Sequence, residues 1–135
     1  MEKLSVKTNR RIELIDITDK IQAAASKSKI KEGVCVVFCP HTTAGLTINE
    51  NADPSVQSDI INTLSKLIPE NAGYAHSEGN ADSHVKSSLF GSSLNIIVEN
   101  GRLCLGTWQG IYFCEGDGPR SREVWIKVIG TVPAK

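Results

Sequence analysis

The last third of the sequence most constrains the fold, because it alternates short strand-like segments with tight-turn residues. Four segments are predicted to be strands: Ser93–Glu99, Arg102–Gly106, Gln109–Glu115 and Glu123–Val132. Asn100-Gly101 separates the first two and is typical of a two-residue hairpin turn. A Gly-Asp-Gly-Pro turn at 116–119 joins the last two. Because strands joined by short turns pair antiparallel, the sequence predicts a largely antiparallel sheet.

Four more strands are expected in the first half of the chain. They are the alternating segment Leu4, Val6 and Thr8, then Arg11–Ile17, Gly33–Cys39 and Gly45–Ile48. The third of these is a continuous run of β-branched, aromatic and cysteine side chains, which predicts a strand buried on both faces. All four cysteines lie in apolar stretches and are expected to be buried thiols.

Three helices are expected between these strands. An Ala-rich helix follows Thr18, whose hydroxyl is the expected N-cap. The longest helix opens at Asp53-Pro54-Ser55, with Asp53 as its cap, and its apolar stripe ends at Ile68. A short third helix over His84–Phe90 is expected to be capped by Asp82 or Ser83.

This order of elements favours an α+β fold, a mostly antiparallel β-sandwich with two to three helices. The 135 residues fit one domain, predicted to span residues 1–135. Fifteen basic and fifteen acidic residues give zero net charge, which argues against a dedicated nucleic-acid-binding protein. The longest apolar run is far shorter than a membrane span, and the N-terminus lacks a signal-peptide pattern. We therefore expect a cytoplasmic protein with neither a membrane nor a nucleic acid as partner.

The three histidines are the first candidates for chemistry. His41 follows a predicted strand, and His76 and His84 lie in a polar segment that also carries Glu78 and Asp82. Imidazole and carboxylate groups suit a divalent transition metal such as zinc, and three protein ligands with one open position are typical of catalytic zinc. The alternative is that these histidines are solvated loop residues.

Two polar segments favour contacts with a ligand. HTTAG places Thr42 and Thr43 among small residues, and NENAD supplies Asn51. Hydroxyl and amide groups provide directional hydrogen bonds to a ligand. Glu50 is a candidate acid or base.

Arg120 and Trp108 each have two interpretations. The glycine-bracketed turn presents the Arg120 guanidinium, which suits a phosphate unless it pairs with Asp117 or Glu123. Trp108 lies between glycines, where an indole either stacks on a planar substrate or joins the core.

Taken together, these motifs resemble the YjbQ-like family of small uncharacterised proteins. The resemblance rests on HTTAGLTINENADPSV, then HSEGNADSHVKSSLFGSSLNIIVENGRLCLGTWQGIYFCE, then DGPR, and it covers most of residues 34–130. It implies a compact α+β domain built around a β-sandwich, a homotrimer and a histidine-centred site. A secondary thiamine-phosphate synthase activity is attached to the family, and metal binding has been suspected in it. The sequence departs from the family pattern at Gly116, where a bulky residue usually precedes DGPR.

The resemblance assigns expected roles to individual residues. The expected catalytic residues are His41, His76, His84 and Glu78, and the three histidines are also the expected metal ligands. The expected substrate contacts are Thr42, Thr43, Asn51, Asn80, Asp82, Trp108, Gln109 and Arg120.

Three functions stay open on the sequence. The first is a transferase that joins a pyrimidine pyrophosphate to a thiazole phosphate, as a main or a side activity. The second is a metal-dependent hydrolase of a small phosphorylated or cyclic substrate. The third is a trimer that binds a small ligand without converting it.

Overall fold

The computed structural model describes residues 1–131, in which eight strands and three helices follow one another along the chain. The strands are β1 (Glu2–Lys7), β2 (Glu13–Asp16), β3 (Glu32–Phe38), β4 (Ala44–Glu50), β5 (Ser93–Glu99), β6 (Arg102–Leu103), β7 (Gln109–Glu115) and β8 (Ser121–Thr131). The helices are α1 (Thr18–Lys27), α2 (Pro54–Leu67) and α3 (Ala81–Phe90). The predicted end of the last strand at Val132 lies outside the described residues.

The strands form two sheets in which every pairing is antiparallel. The larger sheet has the order β1-β8-β3-β5-β6, and the smaller has the order β2-β7-β4. The inner faces of the two sheets share one hydrophobic cluster, as in a sandwich. The predicted α+β fold with a mostly antiparallel β-sandwich and three helices is confirmed.

The core lies between the two sheets and is closed at one end by α1. Val37 and Val124 contribute from the larger sheet, and Leu46 and Phe113 from the smaller. Ile21 of α1 reaches the same cluster. All five side chains are fully buried, so the alternation read from the sequence places the apolar faces correctly.

β3 is buried on one face only, which corrects the expectation that both of its faces are covered. Cys35 and Val37 point into the core with no exposure, whereas Val34 and Phe38 are 38% and 39% exposed. The strand is central in its sheet, but described residues leave the outer face of that sheet open. Continuous hydrophobicity therefore does not distinguish a doubly buried strand from one whose outer face is also apolar.

Two of the three predicted helix starts are displaced. Ile17 stands at the N-cap of α1, and the Thr18 hydroxyl instead accepts a hydrogen bond from the Ile111 amide at 2.8 Å. Helix α3 starts at Ala81, so Asp82 lies inside it rather than capping it. The cap at Asp53 is confirmed, since its carboxylate accepts the Ser55 amide at 2.9 Å.

α2 packs loosely although its sequence is amphipathic. In the described part of the chain none of its residues is buried. Four of its apolar side chains are half-buried, and Leu67 at its end is 72% exposed. Among the same residues no helix is long and apolar enough to cross a membrane. Three of the four free cysteines are buried as expected, and Cys104 is exposed.

Candidate functional site

The β4–β7 ladder divides the predicted site residues between its two ends. Ala44 pairs with Glu115 at one end, and Glu50 pairs with Gln109 at the other. Six residue steps of about 3.4 Å separate the ends, a distance of about 20 Å. We call the two ends the Thr43 end and the Trp108 end, after the residues that adjoin them.

The Thr43 end carries the pair of histidines from the polar segment. The rings of His76 and His84 lie 5.1 Å apart between centroids in an edge-to-face arrangement. They line a pocket of about 330 Å³ together with Tyr74, Ala75, Ala81 and Val85. His84 lies in the first turn of α3, and Tyr74 is fixed by the hydrogen bond from its hydroxyl to the Pro69 carbonyl at 2.6 Å. Two imidazoles therefore open on one small, mainly apolar pocket.

His41 has contacts of its own, with Glu123 and Phe113. Its Nε2 accepts the Glu123 backbone amide at 2.9 Å, and its ring lies edge-on to Phe113 at 6.5 Å between centroids. A backbone amide only donates, so the ring nitrogen that faces it must be unprotonated. Burial lowers the pKa of His41, and the nearby Arg122 guanidinium lowers it further, so the neutral ring is favoured.

The fit of these residues to a metal ion follows from the same contacts. His76 and His84 supply two neighbouring imidazole rings, and the Nε2 lone pair of His41 already accepts the Glu123 amide. Within residues 1–131 no three histidine, cysteine or carboxylate side chains converge in a way that could hold a metal ion. Zinc sites use three or four protein ligands, so one chain by itself does not fit the expected metal centre.

Asp82 occupies a buried ion-pair network beneath the pocket. Its carboxylate, fully buried, accepts from Arg11 at 2.9 and 3.1 Å and from Lys86 at 2.8 Å. Burial raises the pKa of Asp82, but the hydrogen bonds from Arg11 and Lys86 outweigh it and lower the value to about 2. A carboxylate saturated in this way anchors α3 to the N-terminal segment and is not free to contact a substrate.

Arg120 pairs with Asp117, which was the alternative to its binding a phosphate. Its guanidinium donates to the Asp117 carbonyl at 2.8 Å and to the Asp117 carboxylate at 3.0 Å. The same carboxylate accepts the Asn80 amide at 2.8 Å, which ties the turn to the start of α3. Burial raises the pKa of Asp117, while hydrogen bonds from Asn80 and Arg120 lower it to a net depressed value.

Gly116 is enclosed at this junction. A Cβ at this position would lie 2.7 Å from the Thr43 carbonyl and 3.4 Å from Ser83. The Gly116 amide donates to the Thr43 carbonyl at 2.9 Å, and the Ser83 hydroxyl donates to the Gly116 carbonyl. The missing side chain lets α3 and the β3–β4 loop approach the turn closely.

A second buried network at the Thr43 end was missed by the sequence analysis. Arg122 donates to the Glu115 carboxylate and, at 2.9 Å, to the Thr43 hydroxyl. The Thr8 hydroxyl also donates to Glu115, at 2.8 Å. Burial raises the pKa of Glu115, but its hydrogen bonds, that from Arg122 foremost, lower it overall. The strand period contains the signal, because Glu115 continues the inward-facing set of Ile111 and Phe113.

The Trp108 end carries the remaining predicted contacts. Trp108 is 63% exposed, so it is not a core residue, and its carbonyl accepts the Asn51 amide at 3.0 Å. Asn51 also donates from its side chain to Asp16 at 3.4 Å, and the Gln109 side chain accepts the Gly106 amide at 2.8 Å. Within one chain these residues do not reach the histidine pocket. Thr42 and Glu78 are exposed on loops.

The fold and these contacts define a class: a small α+β sandwich protein with a histidine-lined pocket of a size suited to a small molecule. Comparison with known proteins then identifies the family. The sequence model of the YjbQ-like UPF0047 proteins matches residues 2–131, and the chain belongs to this family.

Relatives and solved structures agree with this assignment. The chain is 60% identical to a UPF0047 protein of Methanocaldococcus jannaschii over 128 residues, which cover 95% of this chain and 93% of that protein. It is 51% identical to the UPF0047 protein YugU of Bacillus subtilis, with 96% and 99% covered. A crystal structure of an uncharacterised YjbQ/UPF0047 protein from Clostridium acetobutylicum superposes with a TM-score of 0.94 at 54% identity, covering 96% of this chain and all of that one.

Proposed function

We propose that this chain is an enzyme acting on a small molecule, and that His76 and His84 are its catalytic residues. The observation that supports this most is the pair of imidazole rings, 5.1 Å apart, on a pocket of about 330 Å³. Imidazole both donates and accepts protons near neutral pH, and pockets of roughly 300–1,000 Å³ suit small ligands. No metal ion enters the proposal, because the described residues of one chain supply only this pair.

The reaction to test first is the secondary thiamine-phosphate synthase reaction that the resemblance implies. In it the carbon–oxygen bond between the pyrimidine methylene group and pyrophosphate breaks, and a carbon–nitrogen bond forms to the thiazole ring. Pyrophosphate leaves with the bonding electron pair, so negative charge develops on its oxygen. A protonated imidazole beside that oxygen stabilises the charge by a charge-assisted hydrogen bond.

The pocket walls suit the organic part of such a substrate. Tyr74 presents an aromatic ring, and Ala75, Ala81 and Val85 supply small apolar surfaces. A planar heterocycle packs favourably against a tyrosine ring and methyl groups.

The test compares His76→Ala and His84→Ala with the wild-type protein. Each is incubated with the pyrimidine diphosphate and the thiazole phosphate, and both thiamine phosphate and pyrophosphate are measured. Loss of a general acid lowers kcat by about 10²–10⁴-fold, and we expect that loss in both variants. Ser88→Ala is the matched control, because Ser88 is exposed on α3 one turn beyond His84.

Two outcomes contradict the proposal. Equal turnover in the wild-type protein and in both histidine variants would show that His76 and His84 are not catalytic. A thermal shift with either substrate but no conversion by the wild-type protein indicates a small-ligand-binding protein instead.

A further inference from the structure

The first strand of the larger sheet has an edge that no strand covers in the described part of the chain. β1 pairs with β8 on one side, and residues 1–131 supply no strand for its other side. An open strand edge presents backbone N–H and C=O groups at the spacing that an added strand needs. An extended peptide segment can therefore pair with this edge through backbone hydrogen bonds.

The other three sheet edges are poorer sites for an added strand. β6 has two residues and β2 has four, whereas β1 has six. The edge of β4 is partly occupied, because the Leu46 amide donates to the Gly91 carbonyl at 3.0 Å, just after α3. Among the described residues, β1 therefore offers the longest edge that stays open.

The side chains of β1 divide into a basic outer face and an apolar inner face. Lys3 and Lys7 are exposed on the outer face, and the Lys3 ammonium lies 5.4 Å from the centroid of the Trp125 ring. On the inner face Val6 is buried and Leu4 packs against the core. Because side chains alternate along a strand, an added strand would present alternate residues to these two faces.

A groove between β1 and α1 adjoins the inner face. It consists of two cavities of about 310 and 230 Å³, whose shared lining residues are Glu2, Ala24, Lys27 and Ile126. Lys20 also lines the smaller cavity. Glu2 is paired with Lys27 at 3.3 Å, so its negative charge is already balanced. The groove therefore has room for small apolar side chains of an added strand and has basic side chains along its rim.

The lysines of β1 disfavour a second β1 edge as the partner. In an antiparallel pair of two β1 strands centred on Ser5, Lys3 of each strand would lie opposite Lys7 of the other. Like charges directly opposite each other in a sheet are destabilising, whereas opposite charges stabilise the pair. The same lysines therefore protect the edge from self-pairing and favour an acidic partner.

We infer that the open edge of β1 binds an extended segment of a different protein, one that alternates acidic and apolar residues. Its acidic side chains pair with Lys3 and Lys7 on the outer face, and its apolar side chains enter the groove beside α1. Backbone pairing gives affinity in this mode of binding, and the alternating side chains give specificity. The groove and the histidine pocket are lined by different residues, so the inference does not rest on the proposed function.

The first experiment measures, by fluorescence anisotropy, the binding of a labelled peptide that alternates Glu and Val and is long enough to pair with all six residues of β1. We expect saturable binding with a Kd below about 1 mM. A Glu-Pro peptide of equal length and charge lacks half of the backbone donors and should bind at least about tenfold more weakly. Equal binding of the two peptides, or no binding of the Glu-Val peptide up to about 1 mM, overturns the inference.

The second experiment locates the binding site with charge-reversal variants. Lys3→Glu combined with Lys7→Glu should weaken binding of the Glu-Val peptide by at least about tenfold, because two attractive pairs become repulsive. Lys66→Glu combined with Arg102→Glu is the matched control, since it reverses two exposed charges on α2 and β6. The control should change Kd by less than about twofold. Equal losses in the two double variants would show non-specific attraction of an anion and would contradict the inference.

The third experiment follows hydrogen exchange at the backbone amides of residues 3–7 by NMR. With the Glu-Val peptide bound, we expect slower exchange at the alternate amides that face the open edge, because these amides then donate to the added strand. Unchanged exchange in the saturated complex would place the peptide elsewhere and overturn the inference.

Light scattering distinguishes a different protein from another copy of this chain as the occupant of the edge. We expect the same solution mass for the wild-type protein and for the variant that combines Lys3→Glu with Lys7→Glu. A lower mass for this variant would show that another copy occupies the edge, and the inference would then be wrong.

Discussion

Two regions at the Thr43 end use ionisable residues in opposite ways. Asp82 and Glu115 are buried, and each accepts hydrogen bonds from a cation and at least one further donor. His76 and His84 lie against an accessible pocket and contact each other. The buried carboxylates tie the turn and α3 to neighbouring segments, whereas the two histidine rings line a pocket. Proximity to a pocket therefore does not by itself make a charged residue part of the chemistry.

The largest expected effect is on the Glu115 network. Glu115→Ala leaves the buried Arg122 guanidinium without its carboxylate, and we expect a loss of about 3–5 kcal/mol in the free energy of unfolding. Urea denaturation at pH 7 measures it. Glu99→Ala, at an exposed strand end, is the control and should stay within about 0.5 kcal/mol. A similar small loss in Glu115→Ala contradicts a structural role for the pair.

A smaller loss is expected when only the charge of Asp82 is removed. Asp82→Asn keeps the shape but leaves the buried Lys86 without a counter-charge, at a cost of about 2–3 kcal/mol.

The same residue predicts a pH dependence. Its folded pKa of about 2 lies below the ordinary 3.8, so its contribution is present above pH 3.8 and is lost as the pH falls toward 2. The free energies of unfolding of the wild-type protein and of the Asp82→Asn variant should therefore become equal as the pH falls from 3.8 toward 2. A difference that stays constant down to pH 2 contradicts the assignment.

His41 predicts a weaker dependence at higher pH. Its pKa is lowered from 6.5 because burial and Arg122 disfavour the charged ring, so the folded state resists protonation. The contribution of the neutral ring is present above pH 6.5 and declines as the pH falls below that value. The His41→Gln variant keeps an acceptor for the Glu123 amide and does not titrate. As the pH is lowered from 7.5 to 5.5, the free energy of unfolding of this variant should therefore increase relative to that of the wild-type protein. Parallel curves for the two proteins contradict the expected coupling.

The smallest expected effect on stability is at the histidine pair. His84→Ala removes a half-buried ring, and we expect a change within about 0.5 kcal/mol in the free energy of unfolding, together with the large loss of turnover proposed above. This combination sharpens the contrast with Glu115→Ala. A loss of several kcal/mol would instead assign His84 to the structural network.

Sequence patterns predicted the fold well where the determining interactions are local. Asn100 and Gly101 adopt φ values of 52° and 74°, as the hairpin signal requires. Asp53 caps α2 through the amide of Ser55, two residues away. Starts of α1 and α3 were less predictable, because Thr18 and Asp82 find partners in Ile111 and Arg11, far along the chain.

The candidate site was predicted only in part. His76 and His84 lie in one polar segment of the sequence, and the structure brings their rings within 5.1 Å of each other. It did not show that the predicted contacts separate into two ends, because β4 and β7 carry Thr43 and Trp108 to opposite ends of one ladder. Whether His41 joins the other two histidines in an assembled protein stays a prediction.

Local order of apolar, turn and capping residues determined the strands, the hairpin and the antiparallel sandwich. These features arise from backbone preferences and side-chain alternation over a few residues. Only the tertiary structure decided which ionisable groups are buried in stabilising ion pairs and which line an accessible pocket. The reason is that the energy of a buried charge depends on its partners, and Thr8 and Glu115 meet across 107 residues of chain.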